Sequence, residues 1–129
     1  MTGDEVTLTL PGGREFYRIA HLVLGGLAIR LDLTYEQLED LQLALDSVLS
    51  EAAADGDVTV SVSIEDRAIR TVVGPFQGGA LRAAVEAAAD DQLSLRRLLV
   101  TVVDGVSVDE RDGAEWIELT KSLEPGGTS

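Results

Sequence analysis

Asp40, Ala44, Ser47 and Glu51 recur at spacings of three and four within a stretch of helical periodicity, which stacks them on one helix face. Ser47 cannot take a proton near neutral pH without a helper base, whereas Glu51 is a hard oxygen donor of the kind divalent cations accept. The segment Gly74-Pro75-Phe76-Gln77-Gly78-Gly79 has the glycines of a backbone cradle for phosphate, although a turn is the commoner use of such glycines. Arg14 and Arg18, one turn apart, can present guanidinium forks to a partner carboxylate. His21 is the single histidine, so a multi-His metal site is excluded and no Ser-His-Asp set is legible. It reads as an exposed helix residue or a partner contact. Arg96 and Arg97 oppose the macrodipole at a helix start and read as solvated residues or as contacts to a phosphate or partner. Glu36, Glu39, Asp40 and Asp46 form a solvated face or offer carboxylates to a basic partner helix.

Composition narrows the classes. The chain has 129 residues, 45% of them hydrophobic, which suits one domain with a real core and excludes general disorder. With 10 Lys and Arg against 23 Asp and Glu, the net charge is -13, which argues against nucleic acid or an anionic membrane as partner. There is no cysteine, so disulfides, thiolate zinc sites and Cys nucleophiles are excluded. No apolar run reaches the roughly 20 residues that cross a bilayer. The opening residues lack the pattern of a signal peptide, so a cytoplasmic protein is expected.

These residues need elements to hold them. Val6 to Leu10 alternates as a short strand. Phe16, Ile19, Ala20, Val23 and Leu27 recur at helical spacing between about 14 and 31, with Arg14, Arg18, His21 and Gly25 opposite. Gly25-Gly26 costs about 1 kcal/mol per residue in a helix interior relative to Ala, which suggests close approach of another backbone or a mild kink. Thr34 and Gln37 form a capping box, with Leu33 and Leu38 as its staple, and open a helix striped by Leu38, Leu41, Leu45, Val48, Leu49 and Ala52. Val58 to Ile64 and Ala68 to Val73 follow with a period of two, and the Gly74 to Gly79 segment is expected to end the second strand. Leu81 to Ala89 is helix-prone, a further helix spans about 93–103, and a hairpin closes around Asp112-Gly113. This order predicts an α/β (α+β) two-layer sandwich whose mixed, mostly antiparallel sheet is covered on one face by helices. The expected core includes Val60, Val62, Ile69, Leu41, Leu45 and Val48. One domain spans 1–123, and 124–129 form a flexible tail.

The chain resembles the RsbW-type anti-sigma factors and serine kinases of the Bergerat-fold (GHKL, histidine-kinase-like) ATPases. "LTLPGGREFYRIAHLVLGGLA" is similar to that family's opening strand and helix, with Arg18 where members commonly carry an Arg. "LTYEQLEDLQLALDSVLSEAA" is similar to its nucleotide-box helix, and "LRRLLVTVVDGVSVDERDGAEWIELTKSL" to its closing helix and hairpin. The resemblance implies ATP and magnesium as cofactors. It implies a sigma factor or an antagonist protein as partner, and a second copy of the chain. Partner contacts would fall on Arg14, Arg18 and His21.

The departures fall on the nucleotide. The family's general-base Glu and magnesium-holding Asn correspond to Ser47 and Glu51. A shift to Asp46 and Ser50 would rotate the helix about 100° off its apolar stripe. The family's Asp-x-Gly-x-Gly turn corresponds to "VVGPFQGG", which has no carboxylate between Val72 and Gly79 to read adenine. The Gly-x-Gly of the closing helix falls on "DDQLSLRRLL", where no glycine stands. Ser47, Glu51, Gly74, Gly78 and Gly79 are therefore expected to line a vestigial nucleotide site, with Glu51 its one magnesium ligand. The expected function is sigma-factor or antagonist docking without catalysis. An active ATP- and Mg-dependent serine kinase and an oligomerisation module without a sigma partner are the alternatives.

Overall fold

The computed structural model describes residues 5–11, 15, 17–30, 32–51, 56–65, 67–76, 82–83 and 95–122, with the backbone alone at Ser50, Glu51, Glu65, Leu95 and Arg96. Alternating threonines and apolar residues form β1 (Glu5–Leu10), and α1 (Tyr17–Arg30) and α2 (Tyr35–Glu51) follow it. Then come β2 (Val58–Glu65), β3 (Ala68–Phe76), α3 (Leu95–Val102), β4 (Gly105–Arg111) and β5 (Ala114–Ser122). The strands make one five-stranded sheet in the order β1-β2-β3-β5-β4, antiparallel at every described pairing. The helices cover one face of this two-layer sandwich.

Local chemistry explains the element ends. Asp32 takes φ 59° after α1, its N–H reaching the Ile29 carbonyl at 3.3 Å, while the Leu33 N–H reaches the Ala28 carbonyl at 2.9 Å. That pair of bonds is a Schellman closure, and it delivers the chain directly into the next cap. There the Thr34 hydroxyl accepts from the Gln37 N–H at 3.0 Å and the Gln37 side-chain oxygen accepts from the Thr34 N–H at 2.9 Å, as the capping box requires. Leu33 and Leu38 both pack on the core. Asp112 (φ 52°) and Gly113 (φ 80°) adopt the two left-handed conformations of a type I′ hairpin turn.

All six expected core residues are buried in a single cluster that joins α2 to the β2–β3 hairpin. Phe76, Leu45, Ile69, Leu99, Ile117, Leu119, Val48 and Val73 are its largest fully buried side chains.

The structure corrects three expectations. β3 does not end at Val73. It runs through the cis Gly74–Pro75 bond to Phe76, with a register shift between Val73 and Phe76. An irregular ladder tolerates a proline, which has no N–H to donate. The buried stripe of α1 comprises Ala20, Leu24, Leu27 and Ala28, whereas Ile19 faces outward at 41% exposure. The reason is that α1 is apolar on two sides, so periodicity alone does not choose the buried one. Finally, no described atom lies within 4 Å of a side chain built at Gly25 or Gly26, so no backbone among the described residues approaches them closely. The helix-prone stretch from Leu81 is described only at Arg82 and Ala83, and the tail expected at 124–129 lies outside the described residues.

Thr71 is the one polar residue among the buried set, 3% exposed, and its hydroxyl finds no hydrogen-bond partner among the described residues. It stands between Ile69 and Val73, opposite Val62 and Leu119. An orphaned buried hydroxyl costs about 1–3 kcal/mol of desolvation, so Thr71→Val is expected to stabilise the fold by about 1 kcal/mol. Urea unfolding checks this as a higher midpoint at unchanged slope. A lower midpoint would show that the hydroxyl is satisfied in solution.

Candidate functional site

The face of α2 that carries Asp40, Ala44, Ser47 and Glu51 looks toward α3 and β5. Lys121, the only lysine of the chain, fixes this geometry. Its ammonium donates to Asp40 at 2.9 Å and to the carbonyl of Val102, in the last turn of α3, at 2.9 Å. The cation thereby compensates the unsatisfied carbonyl end of α3 while anchoring α2. With Lys121 only 16% exposed and Asp40 31%, the pair is partly sheltered from water. Ala44, between Asp40 and Ser47, is fully buried.

Ser47 is half-buried, and its hydroxyl donates back to the Leu43 carbonyl at 2.8 Å. Such a bond to the residue four earlier occupies the hydroxyl proton within the helix itself. Glu51 closes the last described turn of α2, and its side chain lies outside the described residues. Asp46 points the other way. Its two carboxylate oxygens accept from Nε2 of His21 on α1 at 2.8 and 2.9 Å. His21 is therefore half-buried and engaged between helices, not the freely exposed residue that its isolation in the sequence suggests. Asp46 thus belongs to the α1 side of α2.

Gly74 sits in β3 on the open face of the sheet. A Cβ there would lie 2.6 Å from Cδ2 of Trp116, inside any permissible contact. The position is thus closed to an adenine-reading carboxylate unless the indole moves. Phe76, two residues on, is buried in the core at 2% exposure. Gly78, Gly79 and Arg14 lie outside the described residues, as do Asp90 to Ser94. Arg18 is exposed on α1. Among the described residues no three His, Asp or Glu side chains converge as a metal site.

Several organising residues escaped the sequence pattern. On the open face Arg70 grips Glu118 with Nε at 2.8 Å and a terminal nitrogen at 3.0 Å. Beside them the Arg111 guanidinium lies 5.5 Å from the Trp116 ring centroid. Glu115 receives the Arg82 N–H at 3.0 Å. The signal for Lys121 was present, since a lone lysine falls in step with the inward Ile117 and Leu119. Tyr35, at the start of α2, is exposed, and its hydrogen bond to Glu39 raises the phenol above its ordinary range.

No family profile matches the chain. It is 33% identical over 72 residues to "Serine-protein kinase RsbW" of Listeria innocua serovar 6a, covering 50% of this chain and 46% of that protein. The protein of the same name from Listeria monocytogenes serotype 4a matches to the same extent. That of Bacillus pumilus is 26% identical over 144 aligned positions, covering 95% of this chain and 88% of the relative. The match spans about half the length of the Listeria relatives. These similarities relate the chain to proteins named serine-protein kinase RsbW, and the two-layer sandwich is compatible with that likeness.

The bidentate Arg70–Glu118 pair yields a pH test. The hydrogen bond from Arg70 holds the Glu118 carboxyl below its ordinary range, outweighing the opposing effect of burial. A carboxylate whose folded pKa is lowered contributes stability that is present above the unfolded value and lost as pH falls through the folded one. The stability difference between wild type and Glu118→Gln is therefore expected to be constant near neutrality and to vanish below the ordinary carboxylate range. Urea midpoints measured from pH 7 down to pH 3 check this. A difference that persists undiminished at pH 3 would contradict it.

Proposed function

We propose that the chain is a regulatory binding protein of the RsbW type. It docks a sigma factor or an antagonist protein, associates with a second copy of itself, and transfers no phosphoryl group. The observation that carries this reading is the Ser47 hydroxyl donated to Leu43 at the place where the resemblance calls for a general base. Phosphoryl transfer rests on a positioned base and on metal and amide stabilisation of charge. Ser47 stands at the base position, no carboxylate between Val72 and Gly79 reads adenine, and Gln92 to Leu95 replace the glycines. The base, the adenine reader and the phosphate-admitting glycines are thus missing, and Glu51 is left as the one residue to hold magnesium. Losses of about 2–4 kcal/mol apiece, by analogy with removal of one transition-state donor, would abolish useful nucleotide chemistry. Arg18, with Arg14, supplies the guanidinium surface for a partner's carboxylates. ATP and magnesium are expected to have no tight site. The competing reading, an active serine kinase that holds magnesium through Glu51, is favoured by the name of its relatives.

One experiment separates these readings. Wild type and Ser47→Glu/Glu51→Asn are titrated with ATP and magnesium by calorimetry. Each is then incubated with radiolabelled ATP, a host sigma factor and a candidate antagonist. The expected outcome is no heat and no label transfer by wild type, capture of the sigma factor or antagonist, and nucleotide binding only in the double variant. Label transferred by wild type would establish the kinase. Failure to capture either protein would favour an oligomerisation module.

A further inference from the structure

Strand β1 stands at one edge of the sheet and, among the described residues, pairs only with β2. At such an edge alternate residues turn their N–H and C=O groups away from the sheet, a template for one more strand. The two edges of this sheet differ in protection. β4 ends in Asp109, Glu110 and Arg111, all exposed, and charges of this kind discourage pairing. β1 carries a single charge, Glu5 at its start, and meets no proline before Pro11.

Beside the β1 edge an apolar recess opens beneath α1, its lining including Val6, Leu8, Ala20, Val23, Leu24 and Val60. Val6, Leu8 and Val23 pack on the core yet stay partly exposed. Ile19, one turn before Val23 on the same flank of α1, is 41% exposed and extends this apolar wall. On the other face of β1, Thr7 and Thr9 are exposed and share hydrogen bonds with Ser61 and Thr59.

We propose that the β1 edge is a further docking surface, which takes up an extended segment of a partner protein as an added strand. The segment is apolar at alternate positions, where it lies against Val6, Leu8 and Val23. At the others it carries Thr, Ser or Lys, beside the hydroxyls of Thr7 and Thr9. Main-chain hydrogen bonds supply affinity in such pairing, and the alternate side chains supply specificity. A slip of one residue would turn the apolar side chains to the wet face, so the recess also sets the register. This surface lies on the flank of α1 away from His21 and α2, and it depends on neither Arg18 nor Ser47. It rests on the docking reading above only in taking the occupant to be a protein.

Charge decides between occupants. A second copy would bring its own net charge of -13 against this one, whereas a basic segment is drawn to it. The occupant is therefore a segment of net positive charge from a different protein.

The test uses the full chain and the end-blocked peptide Lys-Val-Thr-Val-Lys-Val-Thr-Val-Lys. Amide hydrogen exchange of the protein alone is expected to show alternate amides between Glu5 and Leu10 exchanging freely. Adding the peptide is expected to slow those same amides, and anisotropy of the labelled peptide to show saturable binding. Two N-methylated versions, one methylated at every Val and one at every Lys and Thr, separate strand addition from contact of another kind. Only one set of peptide N–H groups faces β1, so one version is expected to bind like the parent and the other at least tenfold more weakly. Ile19→Lys is expected to weaken binding at least tenfold, as is Glu in place of Lys in the peptide. Ile19 is exposed, so thermal unfolding of that variant should match wild type. Absence of binding, equal behaviour of the two methylated versions, or β1 amides already protected before the peptide is added would each overturn the proposal. None of these readouts uses nucleotide, a sigma factor or an antagonist, so failure here and failure of the docking reading are told apart.

Discussion

An antiparallel sheet with alternating side chains has one apolar face, and that face must be covered. Here the cover is α2. Leu41, Leu45 and Val48 reach 3%, 1% and 0% exposure in the same cluster as Ile69, Val73, Ile117 and Leu119 of the central strands. Burying a side chain of this size contributes about 1.5–3 kcal/mol, so this layer contact dominates what the remaining elements add at its margins. The Schellman turn at Asp32 and the capping box at Thr34 matter because they bring α2 onto the sheet at the right residue. A cap shifted by one position would turn the stripe about 100° from the sheet.

This arrangement leaves the flank of α2 free to vary while the helix keeps its place on the sheet. Ser47 and Glu51, which the resemblance aligns with a base and a metal ligand, lie on the flank of α2, whereas the positions that decide the fold lie on its inward stripe. A change of residue at Ser47, whose hydroxyl bonds its own helix, removes no buried apolar surface. Lys121 then secures that flank by joining Asp40 to the end of α3, a tie between three elements that makes no demand on nucleotide. On the other flank, Asp46 and His21 tie α2 to α1.

The open face of the sheet follows a different logic. Its hydroxyls pair across strands, Thr7 with Ser61 and Thr9 with Thr59, each at 3.1 Å, which leaves the face wet and unlike the core. Trp116 is the exception. It lies over Gly74, where the lack of a side chain gives the indole a place to pack, so the same glycine that fits a phosphate turn in the sequence serves packing in the fold.

Elements with one strong period were legible in the sequence. The alternation of Val58 to Ile64, the capping box at Thr34 and the Asp112-Gly113 turn each follow from local stereochemistry, which a few neighbouring residues settle among themselves. The layered architecture and the core residues of α2 follow from the same patterns. What only the tertiary structure decided involves choices between equal local alternatives. Helix α1 offers two apolar sides, and contact with the sheet selected Leu24 and Ala28 over Ile19. His21 has no sequence neighbour to pair with, and its partner Asp46 arrives from 25 residues away because two helices pack side by side. Gly74 reads as a strand end until Trp116, from the far end of the chain, shows that the strand continues beneath it. Local pattern fixes what each segment can become, but pairing across the chain depends on which surfaces are left to be covered, and no single segment carries that information.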